Sequence, residues 1–231
     1  MHRFIGQFDL SQSEIAITDK KLIHQIKDVL KLKVGENIVL GNGVGGEAEG
    51  EIASLSGKEI VIGKLQSRAV VKNLQPVVLY CSVLKKENFE WVVQKATEVG
   101  VDKIVPIICA HTVKTNLNIA RLQKIAHEAA EQSGRVSVPE IDEPVAFKVA
   151  LQAAKMNDGN FFCERGGKNF IGRKVDGSVG IFIGPEGGWE KSEVEAARAN
   201  GCEIISLGKN VLRAETAAVV ASYLVVNTLS F

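Results

Sequence analysis

Two glycine-bearing loops near the C-terminal end carry the residues best suited to chemistry. The first, Gly184-Pro185-Glu186-Gly187-Gly188, follows the apolar run 179–183 and precedes helix-forming sequence. The second, Leu207-Gly208-Lys209-Asn210-Val211-Leu212-Arg213, runs directly into Ala214-Glu215-Thr216-Ala217-Ala218. Glycine lets a backbone approach a ligand closely, and proline stiffens a turn. In open α/β sheets, ligands sit beyond the carboxyl ends of the strands. Both loops therefore read as walls of one small-molecule pocket. Arg213 and Glu215, beside an otherwise apolar helix start, are costly to bury unpaired. They either pair with each other or bind something polar.

The elements that must position these loops form an alternating series. From Pro76 onward, apolar strand-like runs at 77–84, 103–109, 160–163, 179–183 and 203–206 are separated by helix-like stretches. The helices fall at 89–99, 119–133, 145–154, 191–199 and 214–229, with Asn118 as a cap and Gly100 and Gly134 as stops. Alternation of this kind predicts a parallel sheet with helices on its faces. Pro106 suggests a strand end or an edge. Before residue 73 the pattern differs. A helix capped by Thr18 or Asp19 runs to Leu30, and strands follow at 37–40, 48–53 and 59–65, the spacing of a compact barrel. Ser67–Gln75 reads as a linker.

Composition narrows the possibilities. In 231 residues, 45% are hydrophobic, enough for a sizeable core, and the net charge of +1 does not announce a nucleic-acid partner. Cys81, Cys109, Cys163 and Cys202 lack C-x-x-C spacing, so they read as buried thiols in a reducing compartment rather than zinc ligands or disulfides. His2, His24, His111 and His127 lack metal-ligand spacing too. The N-terminus is too polar for a signal peptide, and no apolar run reaches the roughly 18 residues of a membrane helix. A cytoplasmic protein with no metal is the expectation.

Gly41-Asn42-Gly43-Val44-Gly45-Gly46 satisfies G-x-G-x-x-G after a strand. A dinucleotide site needs a helix next, to direct its N–H groups at the pyrophosphate. Here the acidic, strand-like Glu47-Ala48-Glu49-Gly50-Glu51 follows instead. The stretch reads as a hairpin turn.

The combination G-P-E-G-G-W with L-G-K-N-V-L-R-A-E-T-A resembles the C-terminal signature of the SPOUT methyltransferases. More closely, the chain is similar to the bacterial 16S ribosomal RNA uridine N3-methyltransferases, the ribosomal RNA small subunit methyltransferase E family. Further pieces fall in the same order: H-R-F at 2–4, L-K-L-K-V-G at 30–35, F-E-W-V-V-Q-K-A-T-E-V-G-V at 89–101 and E-Q-S-G-R at 131–135. The resemblance implies an α/β fold. Residues 1–72 would form a small PUA-like β-barrel that binds RNA, and residues 73–231 a SPOUT domain ending in a trefoil knot. It further implies a homodimer acting on 16S ribosomal RNA or the small ribosomal subunit. General topology rules disfavour threading, so the knot rests on the resemblance alone. Two positions depart from the family: His111 stands where the strand commonly leads into an arginine, and Trp189 where phenylalanine is usual.

By the same resemblance, S-adenosylmethionine lies against Gly184, Pro185, Glu186, Gly187 and Gly188 on one side. Leu207, Gly208, Asn210, Val211, Leu212, Arg213 and Thr216 stand on the other. Arg213 and Glu215 are the catalytic candidates. The arginine would stabilise negative charge developing on uracil, and the glutamate would orient it or act as base. Arg3, Arg68, Lys114 and Arg135 are candidate RNA contacts. Three alternatives remain open from the sequence: a SPOUT enzyme with another target, such as a transfer-RNA ribose hydroxyl; a catalytically silent RNA-binding module; and a nucleotide-dependent oxidoreductase using the Gly41–Gly46 turn.

Overall fold

A computed structural model describes residues 1–68, 75–113, 116–170 and 176–229. The described residues of 1–72 and 130–138 form one compact unit, and those of 73–129 and 139–231 a second.

The first unit contains β1 (His2–Ile5), β2 (Ile15–Ile17), α1 (Lys20–His24), β3 (Asn37–Gly41), β4 (Glu47–Leu55) and β5 (Ile60–Arg68). Among the described residues they form a five-stranded sheet in the order β1-β3-β4-β5-β2. The β1–β3 pair is parallel and the other ladders are antiparallel. Alternation along β5 turns Ile60 and Ile62 inward, where Phe4, Ile38, Leu40 and Ile52 are also fully buried. Each such side chain contributes roughly 1.5–3 kcal/mol of burial. Asp19 caps α1 by accepting the Leu22 N–H at 2.8 Å. The helix then widens into a π-helical turn, Gln25–Val29, which adds Ile26 to the core beside Ile23.

Two expectations change here. Ser67 and Arg68 belong to β5 rather than to a linker, opposite Ala48 and Glu47. The facing carboxylates of Glu47 and Glu49 make a cross-strand partner for a charged strand end, which composition alone reads as a connector. Strands β1 and β2 have no counterpart in the sequence reading, because three- and four-residue strands show too little periodicity.

The second unit contains β6 (Val77–Ser82), α2 (Lys86–Val99), β7 (Lys103–Ile108), α3 (Ile119–Ser133), β8 (Glu140–Ile141), β9 (Val145–Ala146), α4 (Phe147–Ala153), β10 (Gly159–Asn169), β11 (Val179–Ile183), α5 (Lys191–Ala199), β12 (Glu203–Ser206) and α6 (Ala214–Leu229). The last turn of α3 is counted with the first unit. Among the described residues the strands form one parallel sheet, β12-β10-β11-β6-β7-β8, with β9 also paired to β7. As expected of parallel strands covered on both faces, β11 is buried throughout. Tyr80 and Phe182 stack at 4.4 Å between ring centroids, and Phe147, Phe162 and Trp189 extend the aromatic cluster. Helix α6 packs on α2, β6 and β11 through Ala218, Ala221 and Ser222, small enough for close approach.

Pro106 is not at an edge: β7 pairs on both sides. The Ile107 carbonyl accepts from Val83, after β6, while the Ile104 carbonyl accepts from Asp142, after β8. By strand parity, Pro106 turns towards the β8–β9 side. Its register falls between the pairings of β8 with 103–104 and of β9 with 107–108, so the missing donor leaves no ladder bond unmade. No helix among the described residues is long and apolar enough to cross a membrane.

Candidate active site

Strands β11 and β12 deliver the two loops to the same end of the sheet, separated in strand order by β10. Between them lies a cavity of about 780 Å³, within the roughly 300–1,000 Å³ usual for small-molecule sites. Gly184, Pro185, Glu186 and Gly188 line it from the first loop. Leu207, Gly208, Asn210, Val211, Leu212 and Arg213 line it from the second, with Glu215 on the first turn of α6. Gly187 and Thr216 are not on its wall. The Gly187 backbone faces His111 instead, and a Cβ there would lie 3.0 Å from that of His111.

The sequence reading missed part of the wall. Lys85 and Asn88 come from the β6–α2 junction, and Cys163, Glu164, Arg165 and Gly166 from β10. The rule that ligands gather beyond strand carboxyl ends would have pointed to Lys85 once β6 was assigned. Applied to the strand read at 160–163 it would also have pointed to 164–166, although β10 in fact continues to Asn169 and carries them within the strand.

Arg213 and Glu215 make no ion pair with each other or with any described residue. Arg213 is exposed and Glu215 half-buried, so neither charge is buried unpaired, and both face the cavity. The backbone polar groups of 209–212 likewise find no hydrogen-bond partner among the described residues. Unpaired main-chain donors and acceptors need water or a ligand, and these sit on a cavity wall. The first loop is held from behind. Trp189 donates its indole N–H to the Cys163 carbonyl at 3.0 Å and covers Gly184, where a Cβ would come within 2.8 Å of the ring. Glu193 is 8% exposed and accepts the N–H groups of Ala110 and Glu190, both at 2.9 Å. It thereby ties the end of β7 to the start of α5.

Burial pushes the thiols of Cys109 and Cys163 up to about 12 and that of Cys202 to about 11. Cys81 is raised by burial first, then by Cys109, Glu186 and Glu215, which puts both carboxylates within electrostatic reach of the strand end. No cluster of His, Cys, Asp and Glu suited to a metal occurs among the described residues.

The other candidates lie elsewhere. Arg3 and Arg68 are engaged by Glu47, and Arg68 also by Glu49. Arg135 donates to the Ser137 hydroxyl at 3.4 Å, and Lys114 lies outside the described residues. Gly41–Gly46 is a hairpin between β3 and β4. The Asn42 side chain accepts the Val44 and Gly46 N–H groups, and the turn pairs with 136–138 of the same unit. A strand follows it, so it offers no phosphate cradle.

Comparison with known proteins agrees with this geometry. Residues 71–226 match the RNA methyltransferase domain family, and residues 17–65 match the RNA methyltransferase PUA domain. Ribosomal RNA small subunit methyltransferase E of Rickettsia conorii is 31% identical over 216 residues, 90% of this chain and 88% of that protein. The protein of the same name from Bacillus subtilis is 30% identical, covering 96% and 94%. The crystal structure of ribosomal RNA small subunit methyltransferase E from Neisseria gonorrhoeae bound to S-adenosyl methionine superposes with a TM-score of 0.85 at 27% identity, covering 96% and 95%. With both of its regions matched and nine-tenths or more of its length spanned by such relatives, the chain belongs to the ribosomal RNA small subunit methyltransferase E family of RNA methyltransferases, an α/β enzyme with a PUA-like N-terminal domain.

Proposed function

We propose that this enzyme transfers the methyl group of S-adenosylmethionine to N3 of a uridine in 16S ribosomal RNA. The observation that carries the proposal is the cavity between the two glycine loops, with unpartnered backbone groups at 209–212 and unpaired Arg213 and Glu215 on one wall. The N. gonorrhoeae relative holds S-adenosyl methionine, and the relatives' names specify small-subunit ribosomal RNA.

The residues present suit the cofactor. Gly184–Gly188 bring backbone close to a ligand, and 207–212 offer the main-chain donors and acceptors that an adenine edge requires. When bound, the sulfonium supplies an electrophilic methyl carbon. Arg213 stabilises the negative charge that a uracil acquires on losing its N3 proton. Glu215, two residues on, orients that arginine or accepts the proton. Holding donor and acceptor in contact contributes several kcal/mol by itself.

In this reading residues 1–72 form the RNA-binding domain and residues 73–231 the catalytic domain, with Arg3, Arg68, Lys114 and Arg135 as RNA contacts. Arg3 and Arg68 exchange Glu47 and Glu49 for phosphate when RNA binds. The return of α6 from the edge strand β12 to β6 and α2 supports a threaded C-terminal segment. The enzyme works as a homodimer in the cytoplasm, where ribosomal subunits are its substrate.

Two measurements test this. S-adenosylhomocysteine, but not NAD, should raise the melting temperature. Mass mapping of 16S ribosomal RNA from cells lacking the protein should show one uridine without its N3 methyl group. An unchanged modification pattern refutes the target, and stabilisation by NAD alone refutes the cofactor.

A further inference from the structure

Strand β10 carries a bulge. Cys163 and Lys168 both register with Ile205 of β12, so residues 164–167 are extruded opposite a single partner position. Two glycines permit this. Gly166 adopts φ +76°, and a Cβ on Gly167 would lie 2.5 Å from the Ile205 carbonyl carbon. The extruded residues bury little, and Arg165 at their centre is exposed. Bulges beside active sites commonly re-aim a side chain. Here the side chain is an arginine at the solvent rim of the cavity, shared with the exposed Lys85 and Lys209.

Arg165, Lys85 and Lys209 have no ion-pair partner among the described residues, whereas Arg3, Arg68 and Arg121 are each held by glutamates. An exposed guanidinium with no carboxylate to satisfy it suits bidentate contact with a phosphate. Three such cations on separate loops around one opening suit a polyanion better than a single small anion.

We propose that Arg165, carried on the β10 bulge, grips a backbone phosphate of the target RNA at the mouth of the cavity, with Lys209 and Lys85 contributing to the same anionic site. This rests on the methyltransferase reading above and adds how the target nucleotide is fixed over the cavity. It also gives a chain with a net charge of +1 a local set of cations without ion-pair partners among the described residues.

The test measures methyl transfer to, and binding of, 16S ribosomal RNA transcript or small subunits from cells lacking the enzyme. Arg165→Ala should raise KM for RNA about tenfold while kcat holds within about twofold. The slope of log affinity against log salt should fall by about 0.7–0.9, one phosphate contact. S-adenosylhomocysteine affinity, read by thermal shift on the same variant, should stay within about twofold and establish that it is folded. Arg165→Lys should recover part of the affinity, and Arg198→Ala, an exposed arginine on α5 away from the cavity, should change nothing. An unchanged RNA KM and salt slope in Arg165→Ala overturns the proposal. So does an equal loss in Arg198→Ala, or a loss of S-adenosylhomocysteine affinity with RNA binding intact, which would assign the anion to the cofactor carboxylate. If the wild-type enzyme methylates neither RNA form, the methyltransferase reading itself has failed, visibly before any variant is compared.

Discussion

The imidazole of His111 bridges the first glycine loop, with Nε2 2.8 Å from Glu190 Oε1 and Nδ1 3.1 Å from the Gly188 carbonyl. Both partners are acceptors, so the full bridge requires a proton on each ring nitrogen. The Gly188 carbonyl first, then Glu190, hold the imidazolium above its ordinary value of 6.5. Because the folded value exceeds the unfolded one, the bridge stabilises fully below about pH 6.5 and is lost as pH rises through the folded value. The melting temperature of the wild type should therefore exceed that of His111→Gln at pH 6, and the gap should close by pH 9. A gap independent of pH would show that the ring does not titrate. An NMR titration of His111 should likewise move down in Glu190→Gln.

Glu193 offers a stability test on the same loop. Its carboxylate satisfies two main-chain N–H groups from opposite sides of the junction. Glu193→Ala orphans both, at about 1–3 kcal/mol each, so the melting temperature should drop by roughly 4–24 °C. Glu193→Gln keeps one acceptor oxygen and should lose about half as much. Equal losses would mean that charge, not acceptor count, matters there.

Much of the catalytic unit was legible in the sequence, for reasons these two glutamates illustrate. Strand β11, helix α5, strand β12 and helix α6 are continuous apolar runs or amphipathic periods with local stops, so their bounds follow from near neighbours along the chain. Asn118 capping α3 is local too, three residues from the Arg121 N–H it accepts. What escaped depends on distant partners. His111 meets Glu190 across 79 positions, and Ala110 meets Glu193 across 83. Strand β1 exists because Arg3 registers with Val39. The glycine pair 166–167 reads as a strand terminator unless Ile205 is known to lie beneath it, so the bulge stayed hidden. The glycine loops showed which segments form the cavity and brought Lys209 and Arg213 with them; Lys85 and Arg165 joined them only in three dimensions.

Trp189 and Gly184 are expected to be coupled. Gly184→Ala drives a Cβ to within 2.8 Å of the indole, so S-adenosylhomocysteine affinity should fall as the loop shifts. Trp189→Phe replaces the indole by a smaller ring and removes its hydrogen bond to the Cys163 carbonyl. Alone, it should cost about 0.5–1.5 kcal/mol of stability. In the double variant, Gly184→Ala should cost clearly less than in the wild-type background, a coupling of at least about 0.5 kcal/mol. Strict additivity in calorimetric binding would show that the two residues do not share the space.

Cys163 lines the cavity, yet burial raises its thiol to about 12. At pH 8 the thiolate is then only about one part in ten thousand, too little to act as nucleophile. Iodoacetamide should leave Cys163 unmodified in the native enzyme at pH 8, as intact-protein mass spectrometry would report. Cys163→Ser should retain methyl transfer within about threefold. Rapid native-state alkylation would contradict the burial.

Arg213 and Glu215 stand two residues apart, both on the cavity wall, and neither neutralises the other. If Arg213 stabilises the deprotonated uracil, Arg213→Ala should cut kcat by about 10²–10³ or more, the usual cost of losing one such donor. S-adenosylhomocysteine affinity should partly survive, because backbone groups carry much of that contact. Glu215→Gln distinguishes two roles for the carboxylate. As an orienting group it should lower kcat without changing the shape of the pH–rate profile. As a base it should remove the acidic limb of the profile, since an amide cannot take up the proton. The positioning role predicts that the Arg213→Ala/Glu215→Gln double variant is no worse than Arg213→Ala alone. A multiplicative loss would instead assign each residue its own part in the chemistry.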